Sequence, residues 1–272
     1  MTALFLNIME GVLMLLVIDM GNTNIELGGF DGDDILFRER ISTDLEKTEL
    51  EYAVLIKTVI ELYGIHESDV TGCIISSVVP PLTHIIKTAV KKIISVTPMV
   101  VGAGLKTGLN IKLDDPRTLG ADLVVDAVAG LAGYGAPLIM IDMGTATTVT
   151  VLDKKGDYIG GVIMPGVMVS LESLVSGTSQ LPRISLALPK AVICQNTMDS
   201  MKSGIINGQA SQIDGLIQRF EEELGYPCKK VATGGLAKVI IPRCKENIIL
   251  DNDLILKGLK VIYDKNVKQK KH

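Results

Sequence analysis

The sequence predicts an α/β protein built from a duplicated domain, and three observations support this. First, Ile18-Asp19-Met20-Gly21-Asn22-Thr23 follows the apolar run Leu13–Val17. A second copy, Ile141-Asp142-Met143-Gly144-Thr145-Ala146-Thr147-Thr148, follows the apolar run Pro137–Met140. At one constant offset Asp19 falls on Asp142, Gly21 on Gly144, Asn22 on Thr145 and Asn24 on Thr147. Second, each copy leads through a β-rich stretch into a turn, Phe30-Asp31-Gly32-Asp33-Asp34 and Asp153-Lys154-Lys155-Gly156-Asp157. Third, strand patterns suited to burial on both faces alternate with helical ones, which is the pattern of a parallel sheet covered by helices.

The elements follow in order. Residues 13–30 read as strand, turn and strand, and 35–41 as a third strand. Leu45–Tyr63 reads as a helix with Leu50, Val54, Leu55, Thr58, Val59 and Leu62 on one face and Gly64 where a C-cap belongs. Gly72–Val79 is a β-branched run fit for a buried strand, and Pro80-Pro81 ends it. Leu82–Ile94 is a second helix and Met99–Gly102 a short strand. Gly104–Pro116 is a polar connector, and Arg117–Tyr134 reads as a helix.

The order then repeats. Leu138–Val151 and Tyr158–Ile163 supply strands, Pro165-Gly166 breaks the chain, and Val167–Val175 is a helix. Asn196-Thr197 caps a long helix ending near Leu224. Lys229–Ala232 is a strand, Thr233-Gly234-Gly235-Leu236 a tight turn, Ile248–Leu250 a last strand and Leu254–Tyr263 the final helix. Lys265 to His272 reads as a solvated tail. The expected domains are 1–116 and 117–272. Residues 1–13 read as an extension ahead of Met14, which could be the true start. That stretch has no basic n-region, so it does not read as a signal peptide. Its apolar run is too short to span a bilayer.

At 272 residues with 47% hydrophobic and 21% charged content, the chain can bury a sizeable core. A net charge of −4 argues against nucleic acid or an anionic membrane as the main partner. The absence of Trp argues against a base-stacking platform. Cys73, Cys194, Cys228 and Cys244 form no CxxC pair, so reduced thiols in a cytoplasmic protein are expected.

A carboxylate ending a buried strand, followed by Gly, lets backbone N–H groups face a ligand oxygen while the acid holds Mg²⁺. Asn22, Thr23 and Asn24 add donors for phosphate. One copy alone reads as an Asx-turn; two copies, each behind a buried strand, favour a nucleotide-phosphate site. Neither GxxxxGK[ST] nor GxGxxG occurs. In Gly120-Ala121-Asp122, with Asp126 one turn later, spacing leaves two readings. Asp122 is a general base for in-line phosphoryl transfer, or both acids are solvated near a helix N-terminus. Thr233-Gly234-Gly235 allows close backbone approach, to an adenosine or merely within a turn.

Taken together, Asp19-x-Gly21-Asn22-Thr23, Gly120-Ala121-Asp122, Asp142-x-Gly144-Thr145-Ala146-Thr147-Thr148, Gly160-Gly161-x-x-x-Pro165-Gly166, Leu181-Pro182, Asn196-Thr197 and Thr233-Gly234-Gly235-Leu236 resemble, in order, the type III pantothenate kinases. The resemblance spans about Met14 to Asn266. It implies two ribonuclease-H-like domains of the acetate and sugar kinase, Hsp70 and actin superfamily, with a cleft between them. It implies ATP-dependent phosphorylation of pantothenate to 4′-phosphopantothenate, the first step toward coenzyme A. By that resemblance Asp19, Met20, Gly21, Asn22, Thr23, Asn24, Ile25 and Glu26 line the ATP phosphates, with Asp19 near Mg²⁺. Asp122 takes the proton of the pantothenate hydroxyl. Asp142 holds a monovalent cation, K⁺ or NH₄⁺, and Thr145 contacts ATP. Leu113, Gly120, Ala121, Asp122 and Leu123 stand at substrate-pocket positions, and Thr197 contacts pantothenate across a homodimer interface.

Two positions depart from the family pattern. Leu123 stands where the family usually has Arg, and Leu113 where it usually has Tyr. Both fall on the substrate side, and an aliphatic side chain cannot replace a charge-assisted Arg–carboxylate contact. A kinase of the same fold acting on another small hydroxyl compound, or a non-catalytic ATP-binding regulator, are the alternative readings.

Overall fold

The computed structural model describes residues 13–268. The readings of residues 1–12 and 269–272 lie outside them. The chain folds as two compact units. One takes the chain through Thr107, Leu119–Val125 and the residues from Ile255 onward; the other takes Gly108–Thr118 and Asp126–Leu254.

The first unit opens with an antiparallel meander, β1 (Met14–Met20), β2 (Asn24–Asp31) and β3 (Asp34–Ser42). Then come α1 (Glu49–Leu62), β4 (Val70–Ser77), α2 (Pro80–Ile93) and the short β5 (Met99–Val100). β4 runs parallel to β1, and β5 parallel to β4. The sheet order is β3-β2-β1-β4-β5. Side chains alternate across a strand, so Met14, Leu16, Ile18 and Met20 enter the core shared with α1 and α2. Leu15, Val17 and Asp19 point to the opposite face. Leu15 and Val17 are buried as well, so β1 is apolar on both faces until Asp19.

Helix α3 (Ala121–Tyr134) follows the connector, and the unit boundary falls within it, after Val125. The second unit contains β6 (Leu138–Met143), β7 (Ala146–Leu152), β8 (Tyr158–Pro165), α4 (Val167–Ser176) and α5 (Thr197–Leu224). It ends with β9 (Lys229–Thr233), α6 (Ala237–Ile240) and β10 (Ile249–Leu250). Its sheet order is β10-β9-β6-β7-β8. Read from the other edge this is the order of the first sheet, with β6 in the place of β1. The expected duplication is therefore a duplication of topology.

The last helix, α7 (Leu254–Val267), packs from Ile255 onward with the first unit. Glycines make room for it: a Cβ on Gly28 would stand 3.0 Å from Leu256 Cδ1, and one on Gly72 would run into the Tyr263 hydroxyl.

Four local readings change. Helix α1 starts at the Thr48 capping box rather than at Leu45, and its buried face is Tyr52, Ala53, Ile56, Val59 and Ile60. Leu50, Val54 and Leu62 are exposed. The helix is apolar nearly all round. The side that carries Tyr52, Ile56 and Ile60 packs into the core, and the Tyr52 hydroxyl donates to the Asp44 carbonyl at 2.7 Å, which offsets the cost of burying it. Helix α3 starts at Ala121, because Pro116–Thr118 forms a separate 3-10 turn in which the Asp115 carboxylate accepts from the Arg117 N–H. The stretch after Thr233-Gly234-Gly235 continues into α6, and α7 runs on to Val267. The cap at Asn196 and the end of α5 at Gly225, φ +72°, agree with the sequence reading.

Candidate active site

In the first unit Asp19 is the penultimate residue of β1, flanked across the sheet by Glu26 on β2 and Ser76 on β4. The turn that follows is closed on itself. Gly21 N–H donates to the Asn24 carbonyl at 3.0 Å, and a Cβ on Gly21 would stand 3.2 Å from that oxygen. Thr43, just past β3, staples the turn: its hydroxyl donates to the Gly21 carbonyl at 2.7 Å and its N–H to the Thr23 carbonyl at 3.0 Å. Asn22 and Thr23 are exposed. Met20 and Ile25 bury their side chains in the core, so only their backbone can face a ligand. The Glu26 carboxylate is shared by Arg38, at 3.4 Å, and Arg40.

Asp122 belongs to the same unit. It is the second residue of α3, and its Oδ1 accepts the Leu123 N–H at 2.8 Å. A Cβ on Gly120 would overlap that oxygen and come within 3.7 Å of Val78 Cγ1. Glycine at 120 is therefore what lets the carboxylate sit against the helix start. Val78 in turn donates its N–H to the Met20 carbonyl at 3.0 Å, so the side chain that Gly120 faces belongs to a residue bonded to the end of β1. Burial pushes the Asp122 carboxyl above its ordinary value of 3.8, partly offset by backbone N–H donors. The solvated reading of the two acids fails: Asp122 is half-buried and Asp126 is 4% exposed. Ala121 and Leu123 are half-buried beside them. Arg117 is exposed and engaged by Asp115 at 2.9 and 3.0 Å.

In the second unit Asp142 holds the matching place on β6, flanked by Thr148 on β7 and Thr233 on β9. Here the turns differ. Met20 pairs with Ile25, enclosing Gly21 to Asn24, whereas Met143 pairs with Thr147 and encloses only Gly144, Thr145 and Ala146. The second turn is one residue shorter, so beyond it Ile25 matches Thr147 and Glu26 matches Thr148. The constant offset seen in the sequence holds only up to the turn.

Neighbouring glycines seal this shorter turn. Gly166 N–H donates to the Thr145 carbonyl at 3.2 Å, and a Cβ on Gly166 would strike that carbonyl. Gly234 has φ +98°, and a Cβ there would stand 2.6 Å from Met143 N and 2.7 Å from Asp142 Oδ1. A Cβ on Gly161 would stand 2.8 Å from Thr150 Cα. These motif glycines all have packing reasons within the unit. Thr145 is exposed at the turn. Thr197, the first residue of α5, lines an open groove of about 810 Å³ with Ser170, Leu181, Asn196 and Met201. Leu113 is half-buried, close to Gly160 on β8.

Sequence reasoning missed the Thr43 staple and the Arg38 and Arg40 contacts to Glu26. The alternation Arg38-x-Arg40, opposite Glu26 through the Gly32 turn, was the available signal. The donors at both turns are oxygens, the chemistry suited to hard cations. Among the described residues no three or more His, Cys, Asp and Glu gather as a metal cage. A single carboxylate plus phosphate oxygens is the usual way Mg²⁺ is held with a nucleotide. Among the described residues no helix is long and apolar enough to cross a membrane.

Two solved structures share the fold. MreB 5 of Spiroplasma citri, solved with AMPPNP, is 10% identical, covers 94% of this chain and 97% of its own, and has TM-score 0.54. A conserved Baf family protein of Campylobacter jejuni is 19% identical, covers 93% and 99%, and has TM-score 0.58. These place the chain in the duplicated ribonuclease-H-like, actin-like fold. A relative from Halalkalibacterium halodurans, a type III pantothenate kinase, is 46% identical over 254 residues, 93% of this chain and 100% of the relative. The type III pantothenate kinase family profile matches residues 15–219. This chain therefore belongs to the type III pantothenate kinase family.

Proposed function

We propose that the chain transfers the γ-phosphoryl group of ATP to the hydroxyl of pantothenate, with Asp122 as the base, in the first step toward coenzyme A. The observation that supports this reading is the placement of Asp122. Its carboxylate is half-buried at the start of α3, is held by the Leu123 N–H, needs glycine at 120, and follows a glycine that faces Val78, a residue bonded to the strand that bears Asp19. A raised pKa makes this carboxylate a stronger base than an exposed one. It accepts the hydroxyl proton as the new P–O bond forms, and the β–γ bridging oxygen leaves with ADP.

The residues of the first turn, Asp19, Met20, Gly21, Asn22, Thr23, Asn24, Ile25 and Glu26, would line the nucleotide phosphates. Asp19 would hold Mg²⁺ with them. Asp142 would hold a monovalent cation, and Thr145 would contact ATP. The cations supply neutralisation of phosphate charge. Gly120, Ala121, Asp122, Leu113 and Leu123 would form the pantothenate side. Thr197, exposed beside its groove, would reach substrate in a homodimer, and the enzyme would work in the cytoplasm. Leu113 and Leu123 supply no cation for the substrate carboxylate, which is the feature favouring a diverged hydroxyl substrate.

The test is Asp122→Asn. Burial raises this carboxyl's folded pKa, so its contribution to stability is present below the unfolded value and lost as pH rises through the folded one. Above the folded value its charge opposes folding. The Asn variant should then melt no lower than the parent while kcat falls about 10²- to 10⁴-fold. Near-full turnover in a folded variant that binds ATP would rule out the assignment.

A further inference from the structure

Asp19, Glu26 and Arg40 form one row across the first sheet, since Asp19 pairs with Glu26 and Glu26 with Arg40. Directly opposite residues share a face, and two carboxylates set opposite one another repel. Arg38 and Arg40 both reach Glu26, whose side chain is only 15% exposed. Arg40 commits its Nη2 to that carboxylate and keeps 41% of its side chain exposed. A guanidinium has five N–H donors in a fixed fork, so donors remain for a second anion. The strand is also fixed to the turn, because Thr43, three residues on, bonds both the Gly21 and the Thr23 carbonyls.

The second unit has no such group at the matching place. There the row runs Asp142, Thr148, Ile163, and Ile163 is exposed. Among the described residues an arginine two strands from the aspartate in its row is thus found at the first turn and not at the second.

From this we infer that Arg40, oriented by Glu26, is a further binding residue for a phosphate of the nucleotide at the Asp19 turn, and that Glu26 is a positioning residue rather than a direct ligand. The inference rests on the Asp19 turn being the nucleotide-phosphate site. Phosphate is favoured over the substrate carboxylate because Arg40 lies on the row of the phosphate turn and its strand is stapled to that turn.

The experiment measures KM for MgATP and for pantothenate, with thermal melting, in the parent, Arg40→Gln, Arg40→Lys and the double variant Glu26→Gln/Arg40→Gln. Loss of a charge-assisted contact to phosphate should raise KM for MgATP about ten- to hundredfold, with KM for pantothenate within about twofold. Arg40→Lys keeps the charge without the fork and should recover part of the loss. It also carries the test if Arg40→Gln does not fold. The double variant removes both charges. If Arg40 served only to neutralise Glu26, the double variant would regain the parental KM and overturn the inference. An unchanged KM for MgATP in folded variants, or a rise confined to pantothenate, overturns it as well. A parent inactive on pantothenate but still binding MgATP defeats the functional proposal separately, and MgATP affinity of the same variants then tests Arg40.

Discussion

The two aspartate turns share a strand order and a position, yet they are built differently. The Asp19 turn is a side-chain site: it lies in a row of Ser76, Asp19, Glu26 and Arg40, and exposes Asn22 and Thr23. The Asp142 turn is a backbone site: it is one residue shorter, lies in a row of Thr233, Asp142, Thr148 and Ile163, and is closed by Gly166 and Gly234. Duplication conserved the scaffold while the polar chemistry diverged. The proposed function gives the nucleotide phosphates and their divalent cation to the first turn, beside the row of charged strand residues Asp19, Glu26 and Arg40. The proposed function gives the monovalent ion to the second turn.

The largest effect should come from removing each aspartate. Asp19→Asn should lower kcat/KM about 10²- to 10³-fold, the scale for losing one preorganised electrostatic group, and raise the Mg²⁺ requirement. Asp142→Asn should instead abolish activation by K⁺ or NH₄⁺ while leaving Mg²⁺ dependence intact. Titrations of both cations against both variants read this directly, and interchangeable phenotypes would break the comparison.

Next come the glycines. Gly234 adopts a positive φ with backbone atoms at 2.6 Å from a Cβ, whereas a Cβ on Gly144 would meet its nearest atom at 3.6 Å, an ordinary contact. Gly234→Ala should cost about 1–3 kcal/mol or more, and Gly144→Ala within about 0.5 kcal/mol. Denaturant unfolding of the two variants ranks them. Equal costs would mean the second turn is not sealed by backbone approach.

An effect smaller than that of Gly234→Ala concerns helix caps. Thr48 caps α1 in the first unit and Asn196 caps α5 in the second, each through a side-chain oxygen accepting a backbone N–H. Alanine at either should cost about 1 kcal/mol. Only Asn196 adjoins Thr197, so only Asn196→Ala should also raise KM for pantothenate.

Much of this was legible in the sequence. Both apolar strands, both Asp-x-Gly turns, the β-meander of each half and the Asn196 cap follow from local pattern. Pairing register was not legible, because a one-residue difference in a turn leaves the motif looking intact while moving Glu26 onto Thr148. The face of α1 was missed because apolar residues surround that helix, and packing in the core, which periodicity does not encode, selects among them. The packing of α7 with the first unit and the fit of Gly120 against Asp122 depend on contacts between distant or sterically coupled residues, which composition does not encode.

The most direct test of the central claim is product mass. Purified full-length protein is incubated with MgATP and pantothenate, with and without K⁺ or NH₄⁺, alongside Asp122→Asn. The account predicts pantothenate gaining one phosphoryl group with matching ADP, and essentially none from the Asn variant. No phosphorylated pantothenate under any cation, from protein that binds MgATP, would contradict it.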